Sequence, residues 1–340
     1  MITVVLDAYG GDYSPTEPIK GAILACKQIE DLHIIVTGKK QEIEKVLLDN
    51  KADLSRFSII DAQDEITNMD VPTIAIKQKT ESSLYKAIEE VRTNDNVYGM
   101  VSSGATGAVL TGAFMRIGRI KGVSRPALCP ILPTIYDDKQ VALVDSGANI
   151  DCKPINLVHF AIMGNAYVKS VLNVENPKIA LLSNGTEDKK GNELVHETFP
   201  LLKEIKEINF VGNMEARDLL FGEVDLVVAD GFAGNVLLKS TEGAIGAFQK
   251  ILKEKVKKSF KASIGALLMK KVFKQLKDKL DYNNRPGAVL LGTKKVVVKS
   301  HGAAKANCIK ECILQVVKMA QANICKIIEE EVGKVVINEQ

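Results

Sequence analysis

The chain has 340 residues, of which 46% are hydrophobic and 26% charged, proportions that are ordinary for a water-soluble globular protein. It has no tryptophan and only 5% aromatic residues, which argues against a stacking surface for single-stranded nucleic acid. The net charge is only +3, no run approaches the roughly 18 apolar residues of a membrane-spanning helix, and we expect no secretion signal at the start.

Hydrophobic stretches of strand length alternate with helical stretches along most of the chain. The pattern predicts strands at 2–6, 33–37, 57–61, 97–101, 141–144, 179–182, 208–211 and 226–228. It predicts helices at 17–29, 41–48, 82–91 and 106–119, and one long helix at 303–332. Such alternation is typical of an α/β fold, in which a mostly parallel sheet is flanked by helices on both faces.

The segment from 250 to 279 differs from the rest of the chain in its charge. It carries eleven lysines and two acidic residues, a local net charge of +9. Apolar residues recur every four positions, so their stripe drifts around a straight helix, and we expect two helices that meet near 261–265. We place this basic amphipathic hairpin at 245–284, within a single catalytic domain of residues 1–340.

Three interpretations of the basic hairpin stay open at this point. Its apolar face packs in a dimer, or it lies on anionic lipid, or its lysines dock an acidic partner protein. The expected membrane or partner-protein contacts are Leu252, Val256, Phe260, Ile264, Leu267, Leu268, Lys270 and Lys271.

Polar loops that contain glycine follow most of the predicted strands. They lie at 7–15, 102–110, 143–149, 181–193, 212–218 and 230–239. Because the carboxyl ends of parallel strands meet at one edge of a sheet, such loops gather around ligand sites. Two of them lead into a helix, whose first N–H groups and dipole attract an anion. The candidate phosphate- or substrate-binding residues are Asp7, Gly10, Gly11, Ser103, Gly104, Thr106, Gly107, Gly231, Gly234 and Lys239.

Several familiar motifs are absent from the sequence. It has neither the GxxxxGK[ST] nor the GxGxxG phosphate fingerprint, and no GxSxG nucleophile elbow. Six scattered cysteines suggest reduced core thiols in a cytoplasm rather than a metal site, because no set of four ligands is suitably spaced. The lysine-rich segment 250–279 contains no arginine, which argues for a non-specific nucleic-acid surface at best.

Nine segments, in their order along the chain, resemble the bacterial phosphate acyltransferases of phospholipid synthesis. They span nearly the whole sequence: DAYGGDYSP (7–15), SSGATGAVL (102–110), RPAL (125–128), LVDSGAN (143–149), KKGNE (189–193), GNMEARD (212–218), DLVVADGFAGNVLLKSTEG (225–243), GAVLLG (287–292) and VVKSHG (297–302). The resemblance implies an enzyme that transfers a fatty acyl group from acyl carrier protein to inorganic phosphate, with no metal or other cofactor.

The same resemblance implies an assembly and a location. It implies a homodimer with a three-layer α/β fold similar to that of isopropylmalate dehydrogenase. The protein is then cytoplasmic and associated peripherally with an anionic membrane surface. A further expected partner is the downstream membrane glycerol-3-phosphate acyltransferase.

A mechanism can be suggested from the residues of the loops. We expect the loops at 189–192 and 230–239 to form a pocket for phosphate and for the oxyanion of the tetrahedral intermediate. Lysines offset negative charge, asparagines donate hydrogen bonds, and a histidine protonates the leaving thiolate. A histidine at the end of a strand is also a common structural residue, and that alternative stays open. The candidate catalytic residues are Lys190, Asn192, Asp230, Asn235 and His301.

Other functions compete with this hypothesis. A phosphate acetyl- or butyryltransferase uses coenzyme A, and a nucleotide pocket in place of a long apolar cleft would favour it. A decarboxylating dehydrogenase of similar fold needs a cluster of metal-binding aspartates that the sequence does not show. A non-catalytic membrane adaptor would have no use for the candidate catalytic residues.

Overall fold

The computed structural model describes residues 1–281 and 285–335 and shows an α/β fold with mostly parallel sheets flanked by helices. The predicted fold class is confirmed. The sequence pattern missed four short strands, β5 (Ala127–Cys129), β6 (Ile131–Pro133), β11 (Ala288–Leu291) and β12 (Val296–Lys299). The strands are β1 (Ile2–Asp7), β2 (Leu32–Gly38), β3 (Phe57–Asp61), β4 (Val97–Ser102), β5 (Ala127–Cys129), β6 (Ile131–Pro133), β7 (Gln140–Val144), β8 (Lys178–Ser183), β9 (Asn209–Glu215), β10 (Leu226–Val228), β11 (Ala288–Leu291) and β12 (Val296–Lys299).

Two hydrogen-bonded sheets are found among the described residues, where we expected one. The first has seven strands in the order β3-β2-β1-β4-β12-β11-β5, and only β11 runs antiparallel to its neighbours. The second has five strands in the order β6-β7-β10-β8-β9, and only β6 is antiparallel. The stretch 212–218, which we predicted to be a loop, is the end of β9 followed by a short 3-10 helix at Ala216–Phe221.

The two sheets meet at Pro130, the single residue between β5 and β6. Because proline has no N–H group, it interrupts the hydrogen bonding along a strand. The extended segment 127–133 therefore contributes β5 to the first sheet and β6 to the second. Strand β7 also bonds across the junction. The Leu143 N–H donates to the Pro130 carbonyl (3.1 Å), and the Ser146 N–H donates to the Leu128 carbonyl (2.9 Å). The carboxyl ends of both sets of parallel strands are thereby held next to each other.

Helices cover the faces of both sheets. The predicted helix at 106–119 is α5 (Thr106–Gly112) followed by a π-helical turn at Ala113–Ile117. The helices are α1 (Thr16–Gln28), α2 (Lys40–Asp49), α3 (Pro72–Gln78), α4 (Ser83–Thr93), α5 (Thr106–Gly112), α6 (Pro154–Val171), α7 (Glu193–Glu204), α8 (Gly231–Lys257), α9 (Phe260–Leu268), α10 (Lys270–Leu280), α11 (Ala306–Gln321) and α12 (Ile324–Lys334).

The predicted C-terminal helix at 303–332 is two helices, α11 and α12. Asn323 separates them in the left-handed conformation, with φ of +53°. Asparagine adopts this conformation more readily than most residues. The prediction failed because Ile313 of α11 and Ile328 of α12 pack into the same core, so the apolar pattern continues through the turn.

The basic segment forms three helical pieces rather than the two predicted. Helix α8 runs without a break from the sheet edge to Lys257, and Ser259 then caps α9 by accepting a hydrogen bond from the Ala262 N–H (3.3 Å). We expected the break near Gly265, but this residue lies inside α9. A serine side chain caps the start of a helix effectively, whereas a single glycine does not have to end one. Residues 282–284 of the predicted hairpin lie outside the described residues.

The apolar contact residues predicted for this segment are poorly covered. Leu252 and Val256 on α8 are half-buried, whereas Phe260 and Leu268 are each 83% exposed. The base of α10 is tied to the rest of the protein by an ion pair between Lys279 and Asp137 (2.6 Å). Nothing else in the described chain covers the outer part of the basic segment, which is formed by α9 and the start of α10. The other expected contacts, all exposed, are Ile264, Leu267, Lys270 and Lys271.

The main hydrophobic core draws on both sheets and on the helix that lies between them, α6. Phe160 and Tyr167 of α6 are completely buried, and Gln315 of α11 donates to the Tyr167 hydroxyl (2.6 Å). The core therefore fixes the two sheets against each other. Within residues 1–281 and 285–335, none of the helices combines the length and apolarity needed to cross a bilayer.

Candidate active site

A cavity of about 710 Å³ lies between the carboxyl ends of the two sheets and the first half of α8. Its size falls within the range of roughly 300–1,000 Å³ that is typical of small-molecule sites. Residues that follow β4, β7 and β12 line one side, and successive turns of α8 line the other. The charged and amide side chains on its wall include Asn235, Lys239, Glu242, Arg285, Lys299 and His301.

Lys299, the last residue of β12, places a buried ammonium group on the cavity wall. Its Nζ donates to the carbonyl of Ser300 and, at 3.5 Å, to that of Ser103. Glu242, an acidic residue on the cavity wall, pairs with Lys239 and His301 instead. Burial lowers the pKa of Lys299 to about 8, because the charged form loses hydration.

Lys239, Glu242 and His301 form a chain of charged and polar groups across the cavity. Lys239 Nζ lies 2.7 Å from Glu242 Oε2, and His301 Nε2 lies 3.7 Å from Glu242 Oε1. Burial lowers the pKa of His301 despite the opposing effect of Glu242, and the positive charges of Lys239 and Lys299 lower it further. His301 is therefore predominantly neutral at neutral pH.

Arg285 brings a third cation to the cavity, and only some of its hydrogen-bond donors have partners. Its Nη2 donates to the Lys279 carbonyl, whereas Nη1 is buried and has no hydrogen-bond partner in the described part of the chain. Burial lowers the pKa of Arg285 to about 10, so the guanidinium remains charged at neutral pH. A buried donor without a partner is costly, and an anion bound in the cavity would satisfy it.

The remaining wall of the cavity is apolar. It is built from the junction between the two sheets, from α8 and from the end of α10. A cavity wall that combines cations with hydrocarbon suits an amphiphilic anion. The apolar side chains include Leu128, Ile131, Leu132, Leu238, Ile245 and Leu280.

The start of α8 does not present the free N–H groups that the sequence suggested. Asp230 caps the helix, since its Oδ1 accepts from the N–H three residues on (2.8 Å). The Gly231 N–H donates to the Asn149 carbonyl, and the Gly234 N–H donates to the Asp230 carbonyl. A Cβ on Gly234 would lie 1.9 Å from the Asp145 carbonyl oxygen. These glycines therefore permit close packing of α8 against the loop after β7.

Two glycines of the first loop have a similar role. Gly10 adopts φ of +102°, and a Cβ there would lie 2.8 Å from the Cα of Gly104. A Cβ on Gly11 would lie 2.8 Å from the Cβ of Ser103. Only glycine permits such an approach of two loops, so this packing accounts for both residues without an anion.

Asp7 is buried at the end of β1 and organises the neighbouring loop. Ser102 Oγ donates to Asp7 Oδ2 (2.7 Å), and the Tyr9 N–H donates to Oδ1 (3.2 Å). The Gly104 N–H in turn donates to Ser102 Oγ (3.0 Å). Burial raises the pKa of Asp7 to about 6. Asp7 thus holds the loop that carries Ser103, whose hydroxyl shares a hydrogen bond with that of Ser300 (2.7 Å).

The turn with Lys190 and Asn192 lies outside the cavity wall. Asn192 Oδ1 accepts from the Val195 N–H (3.0 Å) and so caps α7, while Asn213 of β9 donates to the Lys190 carbonyl (3.4 Å). These contacts tie the turn to the far edge of the second sheet. Of the other loop residues, Gly107 packs near Pro72. The predicted residues that do line the cavity are Thr106, Asn235, Lys239 and His301.

Sequence reasoning missed Lys299, Arg285 and Glu242. Lys299 ends the run VVVK, and recognising that run as a strand would have placed a lysine at the same sheet edge as the other loops. Glu242 lies one helical turn after Lys239 on α8, a spacing that predicts an ion pair. No sequence signal marks Arg285, since its position depends on tertiary packing.

The cysteines do not form a ligand cluster. All six are free, and Cys312 accepts a hydrogen bond from the Gly287 N–H (3.1 Å). In the part of the chain that the structure describes, no group of three or more histidine, cysteine or acidic side chains is arranged to hold a metal ion.

Sequence comparison identifies relatives over nearly the whole chain. The family model described as "Fatty acid synthesis protein" matches residues 2–327. A phosphate acyltransferase from Campylobacter fetus is 43% identical over 334 residues, which are 98% of this chain and 99% of the relative. One from Clostridium novyi is 41% identical over the same shares of the two chains.

Solved structures show the same fold at much lower sequence identity. A phosphotransacetylase from Streptococcus pyogenes has a TM-score of 0.61 at 17% identity and covers 95% of this chain and 94% of its own. A phosphotransacetylase from Staphylococcus aureus has a TM-score of 0.57 at 16% identity and covers 94% of each chain. Since the family model and the close relatives span nearly all of the sequence, the chain belongs to the phosphate acyltransferase family and is a transferase enzyme.

Proposed function

We propose that the enzyme transfers a fatty acyl group from acyl carrier protein to inorganic phosphate and releases acyl-phosphate for phospholipid synthesis. The observation that carries this proposal is the composition of the cavity, which combines cations with an apolar wall. Lys239, Arg285 and Lys299 suit a phosphate dianion, and the apolar wall suits a long acyl chain. The description of the matching family as a fatty acid synthesis protein supports the same acyl class.

Phosphate is the nucleophile in this mechanism. It is already partly dianionic near neutral pH, so the protein does not have to supply a strong base. Arg285 and Lys299 hold its oxygens, and the Asn235 amide donates to the thioester oxygen as that atom becomes an oxyanion. Placing phosphate beside the thioester itself lowers the barrier, since the two reactants no longer have to meet by diffusion.

The main rival is a transferase of short acyl groups that uses coenzyme A. The similar solved structures are phosphotransacetylases, but at 16–17% identity they establish the fold alone. Two features favour a long chain on a carrier. The apolar wall extends from Leu128 at the sheet junction to Leu280 at the end of α10. The lysine-rich continuation of α8 beyond the cavity also offers a docking surface to an acidic protein.

The test is a comparison of acyl donors. The purified protein is incubated with labelled phosphate and palmitoyl carrier protein, palmitoyl coenzyme A or acetyl coenzyme A, and acyl-phosphate is measured by its reaction with hydroxylamine. We expect the highest kcat/KM with palmitoyl carrier protein. A higher value with acetyl coenzyme A would contradict the proposed donor, and no product from any donor would contradict the activity itself.

We also propose that the outer end of the basic segment attaches a homodimer peripherally to an anionic membrane surface in the cytoplasm. Phe260 and Leu268 are largely exposed, and lysines surround them. Exposed apolar side chains within a basic helical segment are typical of helices that lie at a lipid interface. This position would bring acyl-phosphate to the membrane, where a glycerol-3-phosphate acyltransferase uses it.

Replacing Leu267 and Leu268 together by aspartate is expected to reduce binding to phosphatidylglycerol vesicles at least tenfold, since each buried leucine contributes about 1.5–3 kcal/mol. Vesicle flotation measures the bound fraction. Leu48→Asp, at an exposed leucine of α2, is the control and should bind like the wild type. If the wild type does not float with these vesicles at low salt, membrane attachment is refuted. If the double variant is monomeric where the wild type is dimeric, the outer end of the basic segment belongs to the dimer contact.

A further inference from the structure

The ammonium group of Lys299 is held in an unusual environment for a lysine. The side chain is only 9% exposed, although it faces the cavity, and its two protein partners are backbone carbonyl groups. Burying a charged group without a carboxylate partner costs free energy that an apolar residue would not. Packing alone therefore does not explain a lysine at this position.

The backbone around Lys299 is fixed tightly. A Cβ on Gly287 of the adjacent chain segment would lie 2.1 Å from the Lys299 carbonyl oxygen, so this neighbour approaches as closely as a glycine permits. The Ser300 N–H donates to the Ser102 carbonyl (2.9 Å), which joins the ends of β12 and β4. The ammonium group is thus presented to the cavity from a rigid sheet edge, as precise proton transfer requires.

We propose that Lys299 carries the proton from the attacking phosphate to the departing thiolate. This role rests on the acyl transfer proposed above. An oxygen of HPO₄²⁻ forms a bond to the thioester carbon, the carbon–sulfur bond breaks, and its electron pair goes to sulfur. Lys299 Nζ gives a proton to that sulfur and takes the proton from the phosphate oxygen, so the products are acyl-phosphate and a neutral thiol.

The acid strength of Lys299 matches this exchange. Burial lowers its pKa to about 8, close to the value of about 8.5 for an ordinary thiol. A general acid is most effective when its pKa lies near the working pH. Acidic groups that face Lys299 favour its charged form, and nearby cations oppose it. The facing groups are Asp7 of β1, Cys308 and Cys312 of α11, Lys239 of α8, and His301 of the following loop.

His301, the acid that the sequence suggested, is less suited to this step. Its pKa is lowered, chiefly by burial, so the protonated imidazolium that would act as the acid is disfavoured. Its Nε2 also lies 3.7 Å from Glu242, toward the α8 side of the cavity. His301 remains suited to positioning a polar group of the donor.

The test compares two acyl donors that differ in the acidity of the leaving thiol. With an alkyl thioester such as palmitoyl carrier protein, Lys299→Met should lower kcat at least about 100-fold, the range for loss of a general acid. With an S-phenyl thioester, whose thiolate leaves without protonation, the same variant should lose less than about tenfold. The ratio of the two losses does not depend on how much of the variant is folded.

Two further variants support the comparison. Lys299→Arg keeps the charge but cannot release its proton, so it should show the same difference between donors as Lys299→Met. It should also lack the fall in alkyl-thioester activity that we expect of the wild type as pH rises through about 8. Lys294→Met, at an exposed lysine before β12, should behave like the wild type.

Equal losses with both donors, together with a raised KM for phosphate, would overturn the proton transfer and leave Lys299 as a phosphate ligand. A wild type that forms no acyl-phosphate from either donor would instead refute the proposed function. The two failures are therefore distinguishable.

Discussion

Replacing Gly234 by alanine is expected to destabilise the enzyme by at least about 3 kcal/mol and to abolish its activity. The added Cβ would lie 1.9 Å from the Asp145 carbonyl oxygen, which is backbone and cannot swing aside. The Asp145 side chain accepts hydrogen bonds from the N–H groups of Leu128 and Asn149, so its segment is held firmly. Helix α8 would have to move away from the sheet edge, which would displace Asn235 from the cavity.

Gly243 provides the matched control on the same helix. A Cβ there meets nothing within 4 Å, so Gly243→Ala should raise stability by up to about 1 kcal/mol through helix propensity alone. Urea denaturation of both variants measures the difference. If Gly234→Ala were as stable and as active as Gly243→Ala, the close contact between α8 and the β7 loop would be wrong.

Replacing Arg285 by methionine is expected to raise the KM for phosphate at least tenfold without lowering the stability of the protein. The variant removes a cation from the cavity, which weakens phosphate binding. It also removes the buried Nη1 donor that has no partner among the described residues, and this relief offsets the lost hydrogen bond to the Lys279 carbonyl. Steady-state kinetics and thermal unfolding measure the two effects.

Arg285→Lys is the control for charge. It should bind phosphate better than Arg285→Met but less well than the wild type, because lysine lacks the two-pronged geometry of a guanidinium. An Arg285→Met enzyme with a normal KM for phosphate and reduced stability would show that Arg285 supports the fold and not the substrate.

The predictable part of the fold was the part built from long, regular segments. Strands such as β1 and β4 are visible in the sequence because each is a mostly hydrophobic run of six residues, and longer helical segments alternate with such runs. The strands β5 and β6 were missed because each has only three residues and Pro130 lies between them, so the stretch looks like part of an irregular crossover. The division between the two sheets falls at that proline.

The candidate site was predictable only in part, for a related reason. The glycine loops do meet, but the sequence does not show the order of the strands that carry them. Because β12 was not predicted, Lys299 could not be placed at the sheet edge. The turn with Lys190 is held against β9 by the hydrogen bond from Asn213, which is a contact between distant parts of the chain. Gly10 and Gly234, which the sequence suggested as anion-binding residues, have a packing role that the sequence does not show, because each allows two backbone segments to approach closely.

The central claim is that the cavity between the two sheets is where phosphate meets the thioester. The most direct measurement is a crystal structure of the enzyme with phosphate and a thioether analogue of the palmitoyl donor. We predict phosphate within hydrogen-bond distance of Lys299 and Arg285, with the acyl chain against Leu128 and Leu238. Phosphate bound at the 189–192 turn instead, with the cavity empty, would contradict the account.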